Sequence, residues 1–377
     1  MKKHCLTALS LALVAIGASA ADPAEVKIGF AAPLTGPQAH YGKDMQNGIQ
    51  LAFDEANATH PKIGGREVRF VLVAEDDQAD PKTGTLVAQR LVDAGVKGML
   101  GHFNSGTTIP ASRIYAQAGI PQIAMATAPA YTAQGYKTTF RMMTSDTQQG
   151  SVVGKFAVDK LGYKNIAVID DRTAYGQGLA DEFEKAAKAA GAKIVAREYT
   201  TDKAMDFNAI LTKIKTASPQ AVFFGGTEVQ AAPMSRQMKA LGLNATLMAG
   251  EMIKTDNFIK LAGDNSEGVV ASLAGLPVEK MPGGADYVAR YEKRFGSKPE
   301  TYSPYAYDGA MAMIGAMKKA NSTEPEKYLP ALAATNMPGV TSPALGYDTR
   351  GDLKIGGITL YKVVKGKWET LESVGGK

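Results

Sequence analysis

Short apolar runs alternate with amphipathic stretches along the chain from residue 26 onward. Residues 26–31 have the length and composition of a buried strand, and apolar residues then recur at 45, 49, 53 and 56, the spacing of one helical face. Because this alternation continues to residue 124, it predicts a parallel sheet with right-handed crossovers. The further elements predicted here are strands over 68–73, 97–101 and 122–124 and helices over 87–94 and 107–118.

A second series of the same kind begins near Asn165. Two similar α/β series in one chain predict two lobes of one architecture. Because no low-complexity linker separates them, we expect several short crossings between the lobes, which would suit a hinge. The elements predicted in this half are strands over 166–169, 193–195, 221–224, 246–248, 269–271 and 358–363 and helices over 179–190, 207–214, 230–241, 284–295 and 304–320.

Length and composition agree with a folded protein of two domains. The chain has 377 residues, of which 45% are hydrophobic and 21% charged. The net charge of +5 arises from 42 basic and 37 acidic side chains that are interspersed along the chain. This balance gives little support to a nucleic-acid or anionic-membrane partner.

The first 21 residues have the pattern of a secretory signal peptide. Lys2 and Lys3 precede an apolar stretch over 6–16 that is too short to span a membrane, and Ala18-Ser19-Ala20 is a cleavage pattern. The sequence therefore predicts an exported protein, with an N-terminal membrane anchor as the alternative. Since the only cysteine is Cys5, the mature protein is expected to have neither disulfide nor thiol chemistry.

Signatures of catalysis are scarce. The sequence contains no G-x-S-x-G elbow, no phosphate-binding P-loop and no H-E-x-x-H motif. Gly176-Gln177-Gly178 begins a dinucleotide fingerprint, but Asp181 stands where its third glycine belongs, which favours an ordinary turn. His102 follows a buried strand and is interpreted as a structural histidine rather than a metal ligand.

The candidate chemistry follows the predicted strands, where ligands bind in open α/β sheets. The polar segment 102–108 leads into a helix and could form an anion site, or it could be an ordinary helix cap. A second small polar loop occupies 126–129. In the other half, Tyr175, Thr227 and Glu251 each follow a strand. Glu251 could pair with a cationic ligand group or be a solvated loop residue, and the other candidate pocket groups are neutral.

Short motifs lie near the predicted turns along nearly the whole chain after residue 26. They are Lys27-Ile28-Gly29-Phe30, Leu34-Thr35-Gly36-Pro37, Tyr41-Gly42, Asp76-Asp77, Asp80-Pro81-Lys82, Gly101-His102 with Ser105, Ala126-Thr127-Ala128-Pro129, Tyr175-Gly176-Gln177-Gly178, Gly225-Gly226, Glu251 and Gly351-Asp352-Leu353-Lys354. In this order they resemble the branched-chain amino acid binding proteins, which are periplasmic solute receptors of ABC importers. No single motif among them is specific.

The resemblance implies an α/β fold of two Rossmann-like lobes joined by a three-crossing hinge, the type I periplasmic binding protein fold, with the ligand buried between the lobes as they close. It places lobe 1 at 25–144 plus 275–345 and lobe 2 at 145–274 plus 346–377.

The family's binding residues match particular positions of this chain. The resemblance implies that Ser105 and Thr127, with backbone N–H groups, hold an α-carboxylate and that Glu251 receives an α-ammonium. It places Tyr41 and Tyr175 in the pocket and Tyr302 near an aromatic wall. Met125, Ala126 and Thr227 complete the expected lining.

The chain also departs from its relatives. Thr227 stands where they carry an aromatic residue, and Met125 where they carry a small one, so the preference for a ligand side chain is open. Ala79 and Asn104 replace two cysteines that link two loops in those relatives. The link between the loops is therefore absent here, whereas the expected binding site is unaffected.

We therefore expect a periplasmic solute-binding protein of an ABC importer that captures an α-amino acid, aliphatic or branched-chain, and delivers it to an inner-membrane permease. It is expected to be a monomer that is not an enzyme, with no cofactor, metal or nucleic acid. One alternative keeps the fold and binds an amide, a urea-like compound or an aromatic or organic acid. Others are a secreted enzyme, which lacks an identifiable nucleophile–base pair, and a DNA-binding repressor, which lacks an N-terminal helix-turn-helix.

Overall fold

The computed structural model describes residues 22–375, so the predicted signal peptide lies outside the described residues. The strands are β1 (Ala24–Ala32), β2 (Lys62–Ile63), β3 (Arg66–Asp76), β4 (Met99–Gly101), β5 (Gln122–Ala124), β6 (Thr139–Arg141), β7 (Asn165–Asp170), β8 (Lys193–Tyr199), β9 (Ala221–Gly225), β10 (Thr246–Ala249), β11 (Val270–Leu273), β12 (Gly357–Val364) and β13 (Lys367–Gly375). The α-helices are α1 (Ala39–Asn57), α2 (Pro81–Asp93), α3 (Ser105–Gln117), α4 (Ala130–Ala133), α5 (Asp146–Asp159), α6 (Ala174–Ala189), α7 (Asn208–Thr216), α8 (Glu228–Ala240), α9 (Asp256–Ala262), α10 (Gly284–Phe295), α11 (Ser303–Ala320) and α12 (Pro325–Ala333).

The strands form two sheets. The first has the order β2-β3-β1-β4-β5-β6, in which β3, β1, β4, β5 and β6 are parallel. The second has the order β13-β12-β11-β10-β9-β7-β8, with β12 and β13 forming an antiparallel hairpin at one edge. Helices cover both faces of parallel sheets, which explains why strands such as β9 are continuously buried. We call the unit around the first sheet lobe 1 and the unit around the second lobe 2.

The chain passes between the lobes three times. It leaves lobe 1 after β6 and builds lobe 2 from α5 to β11. It then returns, because α11 packs against α1 and α12 against α11, before β12 and β13 join the second sheet. The α/β class and the two parallel sheets are confirmed, whereas the residue boundaries given above for the lobes remain a prediction.

Helix α5 was not predicted from the sequence, and its glycines explain the error. Gly150 and Gly154 lower the intrinsic helix propensity of this segment. In the structure they lie against α6, where a Cβ atom on Gly150 would come 2.7 Å from the Phe183 backbone nitrogen. Close packing of α5 on α6 therefore overrides the local preference. The short elements β6, α9 and α12 were also not predicted.

Helix α3 begins at Ser105, two residues before the predicted start, and Pro110 lies inside it. Within residues 22–375, no helix is both long and apolar enough to cross a bilayer.

Candidate functional site

Polar loops from the two lobes face each other at the carboxyl ends of the parallel strands. Lobe 1 contributes the loops after β4 and β5, and lobe 2 contributes the segments after β7, β9 and β10. A ligand between them would contact both lobes, as expected for the edge of an α/β sheet.

Ser105 is the first residue of α3 and is buried. Its hydroxyl accepts a hydrogen bond from the Ala128 N–H at 3.2 Å, which joins the loop after β4 to the loop after β5. Within the described part of the chain, no side chain caps the start of α3. Since the first N–H groups of a helix need acceptors, this end can receive an anionic group.

A buried arginine fixes the loop that carries Thr127. Arg141 is fully buried and donates hydrogen bonds to the carbonyl oxygens of Ala126 and Ala128, the latter at 3.1 Å. Its Nε also donates to Asp352 Oδ1 at 2.8 Å. The loop therefore has a defined backbone before any ligand arrives. Arg141 was missed because its partners are remote in sequence or are backbone atoms.

Three aromatic rings form one wall. Tyr41, Phe103 and Tyr302 contact one another, with ring centroids 4.8 to 5.5 Å apart. The Tyr41 hydroxyl donates to the Met252 carbonyl oxygen at 2.9 Å, a link from lobe 1 to lobe 2. The structure thus brings Tyr41 and Tyr302 into one aromatic group. Phe103 also belongs to this wall, although it was not predicted. Its position two residues before Ser105 could have suggested it.

Glu251 is buried, which excludes a solvated loop position in this structure. Its Oε2 accepts hydrogen bonds from the Tyr175 hydroxyl at 3.0 Å and from Gln149 Nε2 at 2.5 Å. Gln149 is oriented in turn by Ser272, whose hydroxyl donates to Gln149 Oε1 at 3.0 Å. Tyr175 and Glu251, predicted separately, therefore belong to one hydrogen-bonded group.

A second carboxylate lies beside the first. Asp146, the first residue of α5, is fully buried, and its Oδ1 lies 3.4 Å from Gln149 Nε2. Its Oδ2 has no hydrogen-bond partner among the described residues. Glu251 is the one charged group among the residues predicted from the sequence, and the structure adds Asp146 beside it. Asp146 was not predicted as a site residue, because it lies in helix α5, which the sequence pattern did not predict.

Burial shifts the pKa of both carboxyl groups upward. Desolvation raises the pKa of Glu251, although hydrogen bonds from Gln149 and Tyr175 act in the opposite direction. Desolvation raises the pKa of Asp146 well above its usual range, and the nearby charge of Glu251 adds to this effect, although the positive charge of Arg141 acts in the opposite direction. Two buried carboxylates need a cationic partner to be ionised together. The arrangement can therefore hold an ammonium group.

The remaining predicted residues lie in the loops that follow β5 and β9. Met125 and Ala126 are buried in the loop after β5. Thr227 precedes the first residue of α8 and makes no capping hydrogen bond with its side chain. With Tyr175 and Met252 it lines a cavity of about 960 Å³ between the lobes. The Thr227 hydroxyl donates to Gln230 Oε1 rather than to Glu251.

His102 has a structural role. It is fully buried, and its ring nitrogens lie 2.7 Å from Asp77 Oδ2 and 3.0 Å from the Tyr115 hydroxyl. Both nitrogens are therefore bonded within the protein. Across residues 22–375, no three acidic, histidine or cysteine side chains are grouped to hold a metal ion.

Comparison with known families identifies the architecture. The family model described as periplasmic binding protein matches residues 25–367. The chain belongs to this family. It is 37% identical over 368 residues to a Leu/Ile/Val-binding protein homolog of Brucella suis, and the match covers 97% of each chain. The predicted membership in the branched-chain amino acid binding proteins is thereby confirmed.

Solved structures agree with the fold. A leucine-binding protein LivK from Thermotoga maritima superposes with a TM-score of 0.85 at 25% identity, covering 93% of this chain and 98% of that one. The substrate-binding protein LivJ from Streptococcus pneumoniae, in complex with isoleucine, gives a TM-score of 0.82 at 25% identity, covering 93% and 99%. The predicted type I periplasmic binding protein fold is confirmed.

Proposed function

We propose that this protein captures an α-amino acid, aliphatic or branched-chain, between its lobes and delivers it to an inner-membrane permease of an ABC importer. The observation that carries the proposal is the buried pair Asp146 and Glu251. The Asp146 N–H donates to the Thr127 carbonyl oxygen at 2.9 Å, so the pair lies beside the loop after β5. A zwitterion can leave water only where both of its charges are met. The relatives named for leucine, isoleucine and valine support the aliphatic class.

In the proposed complex the two lobes bind opposite ends of the ligand. The Ser105 and Thr127 hydroxyls and the N–H groups at the start of α3 receive the α-carboxylate, and Glu251 with Asp146 receives the α-ammonium. Because the carboxylate partners belong to lobe 1 and Glu251 follows β10 in lobe 2, the ligand stabilises the closed state. The hydrogen bond from Tyr41 to Met252 contributes to the same closure.

This function requires capture and release rather than chemistry, so we propose a binding protein and not an enzyme. We also propose that it acts in the periplasm as a monomer without a cofactor or nucleic-acid partner. The family and the predicted signal peptide support the periplasmic location.

An amide, a urea-like compound or an aromatic or organic acid remains the second candidate, because Thr227 and Met125 alter the predicted pocket lining. A solute-binding protein of Rhodopseudomonas palustris with the same fold holds benzoate. In this chain, however, two buried carboxylates would repel a plain acid.

A thermal-shift screen of the mature protein tests the proposal. The panel contains the common amino acids, their N-acetyl derivatives, amides and organic acids. We expect stabilisation by free aliphatic amino acids and none by the N-acetyl forms, because acetylation removes the ammonium charge. A ligand at 100 times its Kd adds about 2.7 kcal/mol to the free energy of unfolding. A best ligand without an amine would replace this proposal by the second candidate.

Removing the hydroxyls at the proposed carboxylate site should weaken binding without abolishing it. Each hydroxyl bonds a charged group, so Ser105→Ala and Thr127→Val are each expected to cost roughly 1.5–3 kcal/mol of binding free energy. The N–H groups of α3 remain as donors in both variants. Calorimetry with the best amino acid measures the effect, and wild-type affinity in both variants would remove these residues from the site.

Amino-acid affinity should fall as the pH is lowered from neutral. The pKa values of Asp146 and Glu251 are raised in the free protein, and the bound ammonium favours their charged forms. Protons therefore compete with the ligand at pH values above the usual carboxyl range of about 4. Calorimetry across this range should show the loss of affinity. In Asp146→Asn the affinity should be lost at a lower pH, because Glu251 then has no like charge beside it. A flat profile down to about pH 4 would contradict an ammonium at this pair.

A further inference from the structure

The first turn of helix α1 carries two neighbouring side chains that reach across the cleft to lobe 2. Tyr41 donates its hydrogen bond to the Met252 carbonyl oxygen. His40 meets a different part of lobe 2, where its Nε2 lies 3.4 Å from Oε1 of Glu228, the first residue of α8. The His40 and Tyr41 rings lie against each other, with centroids 3.9 Å apart. The start of α1 therefore meets lobe 2 at two adjacent positions.

Lobe 2 supplies Glu228 with hydrogen bonds but with no counter-charge. The Glu228 side chain is fully buried, and its oxygens accept hydrogen bonds from the Thr255 hydroxyl and from Asn257 Nδ2, the latter at 2.6 Å. Both donors are neutral, and among residues 22–375 this carboxylate has no ion-pair partner other than His40. Because a buried carboxylate is stabilised by a charged partner, the imidazole of lobe 1 is the group that can complete its surroundings.

His40 is placed to make this bond. Its side chain is 25% exposed, but Nε2 is buried and has no hydrogen-bond partner within the described part of the chain. Buried polar atoms without a partner are rare, and N–H···O bonds have donor–acceptor distances of about 2.7–3.2 Å. Since the Glu228 carboxylate is already adjacent, a further movement of the lobes by a fraction of an ångström would complete the bond, and no solvent or ligand has to reach Nε2.

Negative charge dominates around this pair. The charged residues that line the cavity of about 740 Å³ beside His40 are Lys254, Asp256, Glu279 and Glu300. Burial raises the pKa of Glu300 to about 7, and the nearby charges of Asp44 and Glu228 add to this effect. Such surroundings favour a hydrogen-bond donor or a cation at the position of His40.

We propose that His40 is a positioning residue for ligand capture, whose Nε2–H donates to Glu228 when the lobes close and thereby slows release of the ligand. The inference rests on the proposed function, which supplies the ligand and the closure. Because this bond joins the lobes only when they are closed, it stabilises the closed state and leaves the open state unchanged. Its effect should therefore appear in the rate of release more than in the rate of capture.

Trp368 provides a signal for this closure. It is the one tryptophan of the chain, and its indole N–H donates to the Thr255 carbonyl oxygen at 2.9 Å. The Thr255 hydroxyl in turn donates to Glu228. Since Trp368 also lines the cavity beside His40, its fluorescence should change when the lobes close.

Stopped-flow fluorescence of the mature protein with leucine tests the proposal. His40→Phe keeps a ring against Tyr41 and removes the donor, so leucine should dissociate about five- to tenfold faster while its association rate changes less than about twofold. His40→Gln retains an N–H at a similar reach and should release leucine within about twofold of the wild-type rate. Calorimetric affinity should change by the same factors, which gives a measurement independent of the tryptophan. Equal release rates in His40→Phe and the wild type would overturn the proposal.

A double-mutant cycle separates this pairing from general damage. In a Glu228→Gln background, adding His40→Phe should accelerate release no more than about twofold, because the charge that His40 meets is already absent. Equal effects of His40→Phe in the two backgrounds would contradict the pairing. Glu67→Gln is the matched control, since Glu67 lies 2.9 Å from His60 within lobe 1, and it should leave leucine release unchanged.

The outcomes distinguish this inference from the proposed function. Circular dichroism shows whether each variant is folded, and if Glu228→Gln is not, the comparison of His40→Phe with His40→Gln decides alone. Leucine binding by the wild type with no effect of either His40 substitution would remove His40 from closure and leave the proposed function intact. If the wild type does not bind leucine, the proposed function fails for this ligand, and the inference that rests on it fails as well.

Discussion

Glu251→Gln should lower the affinity for the best amino acid more than a hundredfold while the protein remains folded. An ammonium group taken out of water needs a counter-charge, and removing one partner of such a pair costs roughly 3–5 kcal/mol. Since about 1.4 kcal/mol corresponds to a factor of ten, this loss exceeds two orders of magnitude. Asp146 remains in the variant, so residual binding at millimolar ligand is compatible with the expectation.

Folding should survive because glutamine keeps the shape of Glu251 and can still accept from Tyr175. Because burial raises the pKa of Glu251, its charged form lowers the free energy of unfolding of the unliganded protein. The variant is therefore expected to unfold at the same temperature as the wild type or at a higher one. Calorimetric titration gives the affinity. If the variant binds as tightly as the wild type, the ammonium is not held at Glu251.

Arg141→Leu should lower the free energy of unfolding by about 3–5 kcal/mol, as expected when a buried charged group loses its partner. The guanidinium group is fully buried, and it bonds two backbone carbonyl groups of the loop that carries Thr127. Its loss leaves the Ala126 and Ala128 carbonyl oxygens without this donor. The Asp352 carboxylate loses its buried cationic partner, although it still accepts a hydrogen bond from the Thr132 hydroxyl. The loop should lose its fixed conformation as well, so ligand affinity should also fall.

The structure offers a matched control for this variant. Arg350 lies 3.4 Å from the other oxygen of the same Asp352 carboxylate, but its side chain is 67% exposed. Arg350→Ala should therefore change the free energy of unfolding by no more than about 1 kcal/mol. Urea denaturation measures both variants. Similar small effects in the two would show that burial of Arg141 contributes little to stability.

The sequence pattern predicts the order of strands and helices well, because buried parallel strands are nearly continuous apolar runs. Strand β5 and helix α10 have the predicted bounds. The rule that ligands lie beyond the carboxyl ends of strands also selected Glu251 and Tyr175, which the structure brings to 3.0 Å from each other. These features depend on local pattern and on general topology.

Asp146, Gln149 and Arg141 could not be found in this way. Gln149 and Glu251 are 102 positions apart in sequence, and their contact depends on how α5 packs beside the second sheet. Arg141 acts through backbone carbonyl groups, which leave no trace in the amino-acid sequence. Gly150 and Gly154, which let α5 approach α6, reduced the helical pattern that would have drawn attention to this segment.

The packing of α11 against α1 has a consequence for how the chain acquires its structure. Lobe 1 begins with β1 but is complete only when residues beyond β11 have been made, and lobe 2 needs β12 and β13 from the end of the described chain. Neither lobe can close its core on a partial chain. Since contacts between distant segments slow folding, the protein should reach its native state only after synthesis is nearly finished. A chain that is still unfolded when its synthesis ends can pass through a translocation channel too narrow for a folded domain. Late folding is therefore compatible with the export that the signal peptide predicts.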